Sequence, residues 1–206
     1  MRYPVRFDAT PPERYDRVHV VLRFLIGLLI SWTVARVLPV GLFTLLYLAL
    51  PVIAAVSIDD RGAAGYQTTV GARITGLLRW ILSFWAYMVF STDRFPTRRD
   101  SLVDLEITPT GAPTVGSALL RLIYGIPEAL VLVILGFIGA FVWIIQAIAV
   151  LLTRKCPHPL VAYQRGVLRW AARLLAYQAS LVAPYPPFAL NTGHEPPPAT
   201  GEQASS

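Results

Sequence analysis

Two pairs of long apolar runs dominate the chain, with the polar residues gathered between and after them. Residues 18–37, VHVVLRFLIGLLISWTVARV, and 40–58, VGLFTLLYLALPVIAAVSI, flank Leu38 and Pro39. As helices rising 1.5 Å per residue they would each reach about 27–30 Å, the thickness of a bilayer's hydrocarbon core, so the pattern predicts a transmembrane hairpin. Residues 118–135, ALLRLIYGIPEALVLVIL, and 137–153, FIGAFVWIIQAIAVLLT, form a second pair about Gly136. These are nearer the lower spanning limit, which allows two crossings or a hairpin that enters one leaflet and returns.

Each pair is followed by an aromatic-basic segment, GLLRWILSFWAYMVFSTDRFP at 76–96 and GVLRWAARLLAYQASLVAPYP at 166–186. An offset of 90 superposes Gly76 on Gly166, Arg79 on Arg169, Trp80 on Trp170, Ala86 on Ala176, Tyr87 on Tyr177 and Pro96 on Pro186. The earlier parts align at an offset of 98, which brings Val5 to Val103, Arg23 to Arg121, Gly27 to Gly125 and Gly41 to Gly139. A longer loop at 59–69 absorbs the difference. The chain reads as an internal repeat, 1–98 and 99–190, with a mobile tail at 191–206 that has no apolar period. Each repeat opens on a short alternating stretch, YPVRFDA at 3–9 and LVDLEIT at 102–108. Val5 and Phe7 oppose Arg6 and Asp8 there, as on a half-buried strand, and the two strands can pair and shield each other's edges.

In the second aromatic-basic helix, Arg165, Arg169 and Arg173 recur every fourth residue and fall within about 80° of arc. Leucine, alanine, valine and Trp170 fill most of the remaining circumference. This predicts an amphipathic helix lying in the membrane interface, its arginines toward anionic headgroups and Trp170 and Tyr177 setting the depth. The first copy, with Arg79 and Trp80, is more apolar, and the pattern leaves it interfacial or transmembrane.

Charge fixes an expected orientation. Seventeen arginines and the single Lys155 face 12 acids, for a net charge of +6. Arg14, Arg17, Arg61, Arg73, Arg154 and Lys155 surround the apolar pairs, whereas the predicted tight turns have only Arg36 nearby. The positive-inside rule then puts both termini, the strands and the aromatic-basic helices in the cytoplasm. Apolar residues make up 55% of the chain and charged residues 15%, too few charges for an ordinary soluble surface. The arginines are interspersed with Leu, Trp and Tyr, which favours a lipid surface over nucleic acid. The opening stretch delays the first apolar run and carries Pro, Asp and Glu, a poor fit to a cleavable signal peptide, so that run reads as a retained anchor.

Apart from Arg36 near the first turn, three charges fall within the apolar runs: Arg23, Arg121 and Glu128. A carboxylate in hydrocarbon is costly unless neutralised, hydrated or paired. Glu128 is therefore read first as a structural contact between repeats and second as a proton or cation relay. Its first-half equivalent is Ile30. No catalytic, cofactor or metal constellation emerges: Cys156 and His158 alone fall short of a zinc set, and neither a phosphate-binding glycine loop nor a G-x-S-x-G elbow is present.

The repeated LRW…AY…F/YP segments, with the YPVRF opening and the two apolar pairs, resemble a bacterial integral-membrane family known only as a domain of unknown function. The resemblance runs over nearly all of residues 1–190. It is fullest at Arg169-Trp170, Tyr177 and Tyr185-Pro186-Pro187-Phe188. Thr92-Asp93-Arg94-Phe95-Pro96 is similar to the family's Thr-Asp-Arg-aromatic-Pro ending, whereas the second copy has Ala183-Pro184 in place of the charged pair. The resemblance implies an integral membrane protein without assigning a reaction. The expected fold is mainly α: duplicated membrane hairpins, interfacial helices and short cytoplasmic strands, in a bacterial inner membrane. The expected function is a non-enzymatic adaptor or accessory subunit contacting anionic phospholipid, a membrane-protein partner or a second copy of itself, through Arg79, Trp80, Arg165, Arg169, Trp170, Arg173 and Tyr177. The alternatives are a small proton- or cation-conducting component using Glu128, and a membrane enzyme with dispersed catalytic residues.

Overall fold

The computed structural model describes residues 3–37, 41–96 and 103–190, and side chains for all of these except 31–37. The turn expected at Pro39, the side chain of Arg36 and the tail at 191–206 lie outside the described residues. The chain is mainly helical, with two short strands.

The alternation at each repeat's start forms the sheet. Strand β1 (Val5–Ala9) pairs antiparallel with β2 (Val103–Ile107), Phe7 standing opposite Leu105 and Arg6 opposite Glu106. Val5, Phe7, Ala9, Val103 and Leu105 are buried, while Arg6, Asp104 and Glu106 are exposed. One apolar face is covered and one polar face is open, as a period-two pattern requires.

Helices α1 (Arg17–Val37) and α2 (Leu42–Tyr66) occupy the first apolar pair. The loop expected at 59–69 is absent as such, because the chain stays helical there. It bends at Gly62, whose φ of 70° suits glycine, and passes through a π-helical turn, Gln67–Gly71, into α3 (Ala72–Met88). The Thr68 and Thr69 hydroxyls donate to the carbonyls of Ala64 and Gly65 in the preceding turn.

The second apolar pair departs from expectation. The break falls at Gly125, eleven residues before Gly136, giving a ten-residue α4 (Val115–Tyr124) and an unbroken 28-residue α5 (Ile126–Thr153). Proline favours the position: Pro127 has no N–H and its ring crowds the preceding turn, so it suits the first turn of a new helix, although α2 continues through Pro51. Gly136 has open space around it and no neighbouring proline, and a lone glycine costs a helix only about 1 kcal/mol. At about 15 Å, α4 is too short to cross a bilayer, whereas α5 at about 42 Å has length to spare.

Among the described residues, the stretch Leu42–Met88 and helix α5 are long and apolar enough to span a membrane. Side-chain exposure separates α5 from the core helix of a soluble protein. Leu130, Val133, Phe137, Phe141, Ile145, Ile148 and Leu152 all face outward along its length. Val21, Phe24, Leu25 and Leu28 do the same on α1, and Leu48, Val52 and Val56 on α2. The largest apolar patch on a typical soluble monomer is roughly 300–600 Å², and a belt over three helices of this length exceeds it. The protein is membrane-associated.

Helix α6 (His158–Gln178) was expected on the surface and lies in the core instead. It packs against α2, α3, α4, α5 and β1, and its residues from Leu168 to Gln178 are buried except Arg169, which is half-buried. Its polar stripe has a strand edge to satisfy. An unpaired edge presents carbonyls that need donors, and arginines spaced four apart on a helix supply them as well as they supply headgroups.

Candidate functional site

Three groups of polar side chains occupy the interior, and the sequence-selected residues are distributed among them. The first braces the sheet. Arg165 donates to Ala9 O (3.2 Å) and lies 3.8 Å from Asp8. Arg169 donates to Phe7 O and to Asp8 Oδ1, each at 3.1 Å. On the opposite edge Arg79 of α3 donates to Leu105 O at 3.0 Å. Both edges of a two-stranded sheet, which is marginal alone, are thus held by guanidiniums. Trp80 stays half-exposed and stacks on Phe84.

The second group surrounds Arg23, which is fully buried on α1. It donates to Tyr87 O (2.7 Å), Thr92 O (2.8 Å) and Asp93 Oδ1 (2.9 Å), and its guanidinium lies over the rings of Tyr87 and Phe90 at 4.4 and 4.3 Å. Desolvation of the cation is offset by one carboxylate, two carbonyls and two π faces. Tyr15 closes the group by donating to Phe90 O at 2.7 Å.

The third group joins α4, α5 and α6. Arg121 donates to Tyr177 O and Val182 O and lies 4.3 Å from the Tyr177 ring centre. Glu128, fully buried in the first turn of α5, accepts from the Trp170 indole N–H. Arg173 donates to Ala189 O, and Gln178 donates to Arg121 O at 3.0 Å. Arg173 and Trp170 therefore face the interior. Arg121 and Glu128, seven residues apart, meet different partners on α6.

Sequence reasoning missed Asp8 and Asp93 as partners of the arginines, and saw Gln178 only as a polar interruption of an apolar face. Asp93 had a signal, since it stands where the second repeat has Ala183. Asp8 read only as the polar half of a strand. Among the described residues, no group of three or more His, Cys, Asp or Glu could hold a metal ion. A cavity of about 190 Å³ lies between the N-terminal segment and the start of α6, lined by Glu13, Tyr15, Lys155, Cys156 and His158 among others. Burial pushes the Cys156 thiol above its ordinary pKa, against smaller opposing effects of Gln146 and Arg23. The thiolate is the nucleophile, so maleimide labelling of this single cysteine is expected to be slower at pH 7 than for a free thiol. It should keep accelerating, about tenfold per pH unit, beyond the pH at which the free thiol levels off. A pH–rate profile matching the free thiol's would contradict the buried placement.

Residues 116–189 match the model of a family described as a domain of unknown function (DUF4389). The matched segment takes in α4, α5, α6 and the following stretch, and with them Arg121, Glu128, Arg165, Arg169, Trp170, Arg173 and Tyr177. This is similarity over part of the chain and it carries no reaction. No curated protein and no solved structure matches.

Proposed function

We propose that this protein is a non-enzymatic membrane adaptor whose sheet-and-helix platform is held against the anionic lipid of the cytoplasmic leaflet. The observation that carries the reading is the segregation of charge. Between Val18 and Ile58, and again between Thr108 and Thr153, the charges with described side chains are Arg23, Arg121 and Glu128, and all three are buried. Exposed cations gather where these stretches end. Tyr15 N donates to Arg154 O at 3.0 Å and Arg17 donates to Leu152 O at 3.2 Å, which joins the start of α1 to the end of α5. Arg14, Arg17, Arg154 and Lys155 are exposed there, against the two acids Glu13 and Asp16.

This collar takes over the headgroup role expected of Arg165, Arg169 and Arg173, which serve as internal braces of the platform. Each cation near an anionic surface contributes about 1 kcal/mol, so four of them favour phosphatidylglycerol over phosphatidylcholine appreciably. The test replaces Arg14, Arg17, Arg154 and Lys155 together by glutamine. Quenching of tryptophan fluorescence by brominated phosphatidylglycerol should then fall to the level given by brominated phosphatidylcholine, with membrane insertion unchanged. An undiminished preference for the anionic lipid in the quadruple variant would sink the collar.

A further inference from the structure

The Arg23 and Arg121 sites can be compared atom by atom, because the residues that hold them correspond at the two sequence offsets. Tyr87 O and Thr92 O accept from Arg23; Tyr177 O and Val182 O, each 90 positions on, accept from Arg121. A tyrosine ring faces the guanidinium in both, at 4.4 and 4.3 Å. The preceding helices end alike. Phe90 and Ser180 both take positive φ, at 59° and 55°, and Ser91 N and Leu181 N reach back to Ala86 O and Ala176 O at 2.9 and 3.1 Å. Two strained, matching ends present matching pairs of carbonyls to matching arginines.

The correspondence fails at one position, the counter-ion. Asp93 puts a carboxylate 2.9 Å from Arg23, whereas its equivalent is Ala183. Among the described residues no carboxylate comes within 4.0 Å of Arg121, although its side chain is only 7% exposed. Both of its hydrogen bonds leave from Nη1, so Nε and Nη2 have no acceptor among the described residues. Neither is sealed, unlike Arg23 Nη1. Ala183, Pro184 and Tyr185 beside it are exposed, and the Thr110 hydroxyl, which accepts from Ala183 N at 2.9 Å, adds a polar group at the rim. A nearly buried cation without a counter-ion is costly, and a guanidinium edge open at the surface is built to take a bidentate oxyanion.

We propose that Arg121 binds an oxyanion of the phosphate class, which takes the place that the Asp93 carboxylate holds beside Arg23. The site is separate from the collar and does not depend on it. A free phosphate and a lipid phosphate offer the same oxygens, and the experiment tells them apart. Full-length protein in neutral detergent is titrated with inorganic phosphate at constant ionic strength, and in parallel in phosphatidylcholine nanodiscs with or without phosphatidylglycerol, following the thermal midpoint. The midpoint should rise saturably with phosphate, with phosphatidylglycerol, or with both. The nanodisc arm is run with Arg14, Arg17, Arg154 and Lys155 replaced by glutamine in every protein, which removes the collar's own response to phosphatidylglycerol. Against that background Ala183→Asp supplies the missing carboxylate, so its midpoint should start higher and respond to neither ligand; Arg121→Gln should start lower and respond to neither. A response to phosphate alone assigns a soluble ligand, and a response to phosphatidylglycerol alone assigns a headgroup. No response in wild type, or an equal response in Ala183→Asp, overturns the proposal. Should Arg121→Gln fail to fold, the comparison of wild type with Ala183→Asp decides alone.

Discussion

Asp93→Ala is expected to destabilise the protein by about 3–5 kcal/mol, the cost of leaving a buried charge without its partner. Arg23 is fully buried, its Nη1 already lacks an acceptor among the described residues, and Asp93 supplies its carboxylate contact at 2.9 Å. Removing that carboxylate leaves a cation with two carbonyls and two rings, too little to replace its hydration. The double variant Arg23→Met/Asp93→Ala should recover most of the loss, because methionine keeps apolar contact with Tyr87 and Phe90 and buries no charge. A residual of about 1 kcal/mol is expected from the hydrogen bond that Asp93 accepts from Asp16 N. Unfolding of the four proteins of this cycle in mixed micelles provides the check. Equal losses in the single and double variants would mean that the charge is not what Asp93 holds in place.

The elements with a strict period were legible in the sequence. Alternation over five residues placed β1 and β2, and the apolar runs located the helices whose apolar side chains face outward. What the pattern could not give was the break in the second run, because a count of apolar residues treats Gly136 and the Gly125–Pro127 stretch alike. Proline stereochemistry treats them differently, since Pro127 has no N–H to give the preceding turn whereas Gly136 has one. The arginines show a different limit. A wheel gives the arc on which Arg165, Arg169 and Arg173 stand, but a guanidinium on that arc meets lipid phosphate or a strand carbonyl with the same chemistry. For Arg165 and Arg169 the choice was made by β1, some 160 positions away in sequence, which no local pattern contains, and for Arg173 by the Ala189 carbonyl beyond the helix. The burial of α6 from Leu168 to Gln178 was likewise invisible, since a face rich in leucine and alanine suits a protein core as well as a membrane interface.

Trp170→Phe is expected to produce a loss of similar size through an anion. The indole N–H is the hydrogen-bond donor to Glu128, and the carboxylate's Oε1 is sealed with no partner among the described residues. Phenylalanine removes that donor and leaves both oxygens without a hydrogen bond among the described residues, which costs up to about 3–5 kcal/mol for a buried charge, reduced by the nearby Arg173 guanidinium, unless the carboxylate takes up a proton. Glu128→Leu alone leaves the indole N–H unsatisfied and should cost less, about 1–3 kcal/mol, because the lone group is neutral. The double variant, with neither group present, should be more stable than Trp170→Phe, and the cycle measures the coupling between α5 and α6. The same variants separate a latch from an ion path. If Glu128 fastens α5 to α6, sealed vesicles with wild-type protein conduct protons no faster than empty ones, and Glu128→Gln changes only stability. If Glu128 relays protons, wild-type vesicles conduct and Glu128→Gln abolishes the flux at undiminished folded abundance. The geometry favours the latch: an indole already occupies one oxygen, and a relay needs a carboxylate that can release its partner at each turnover.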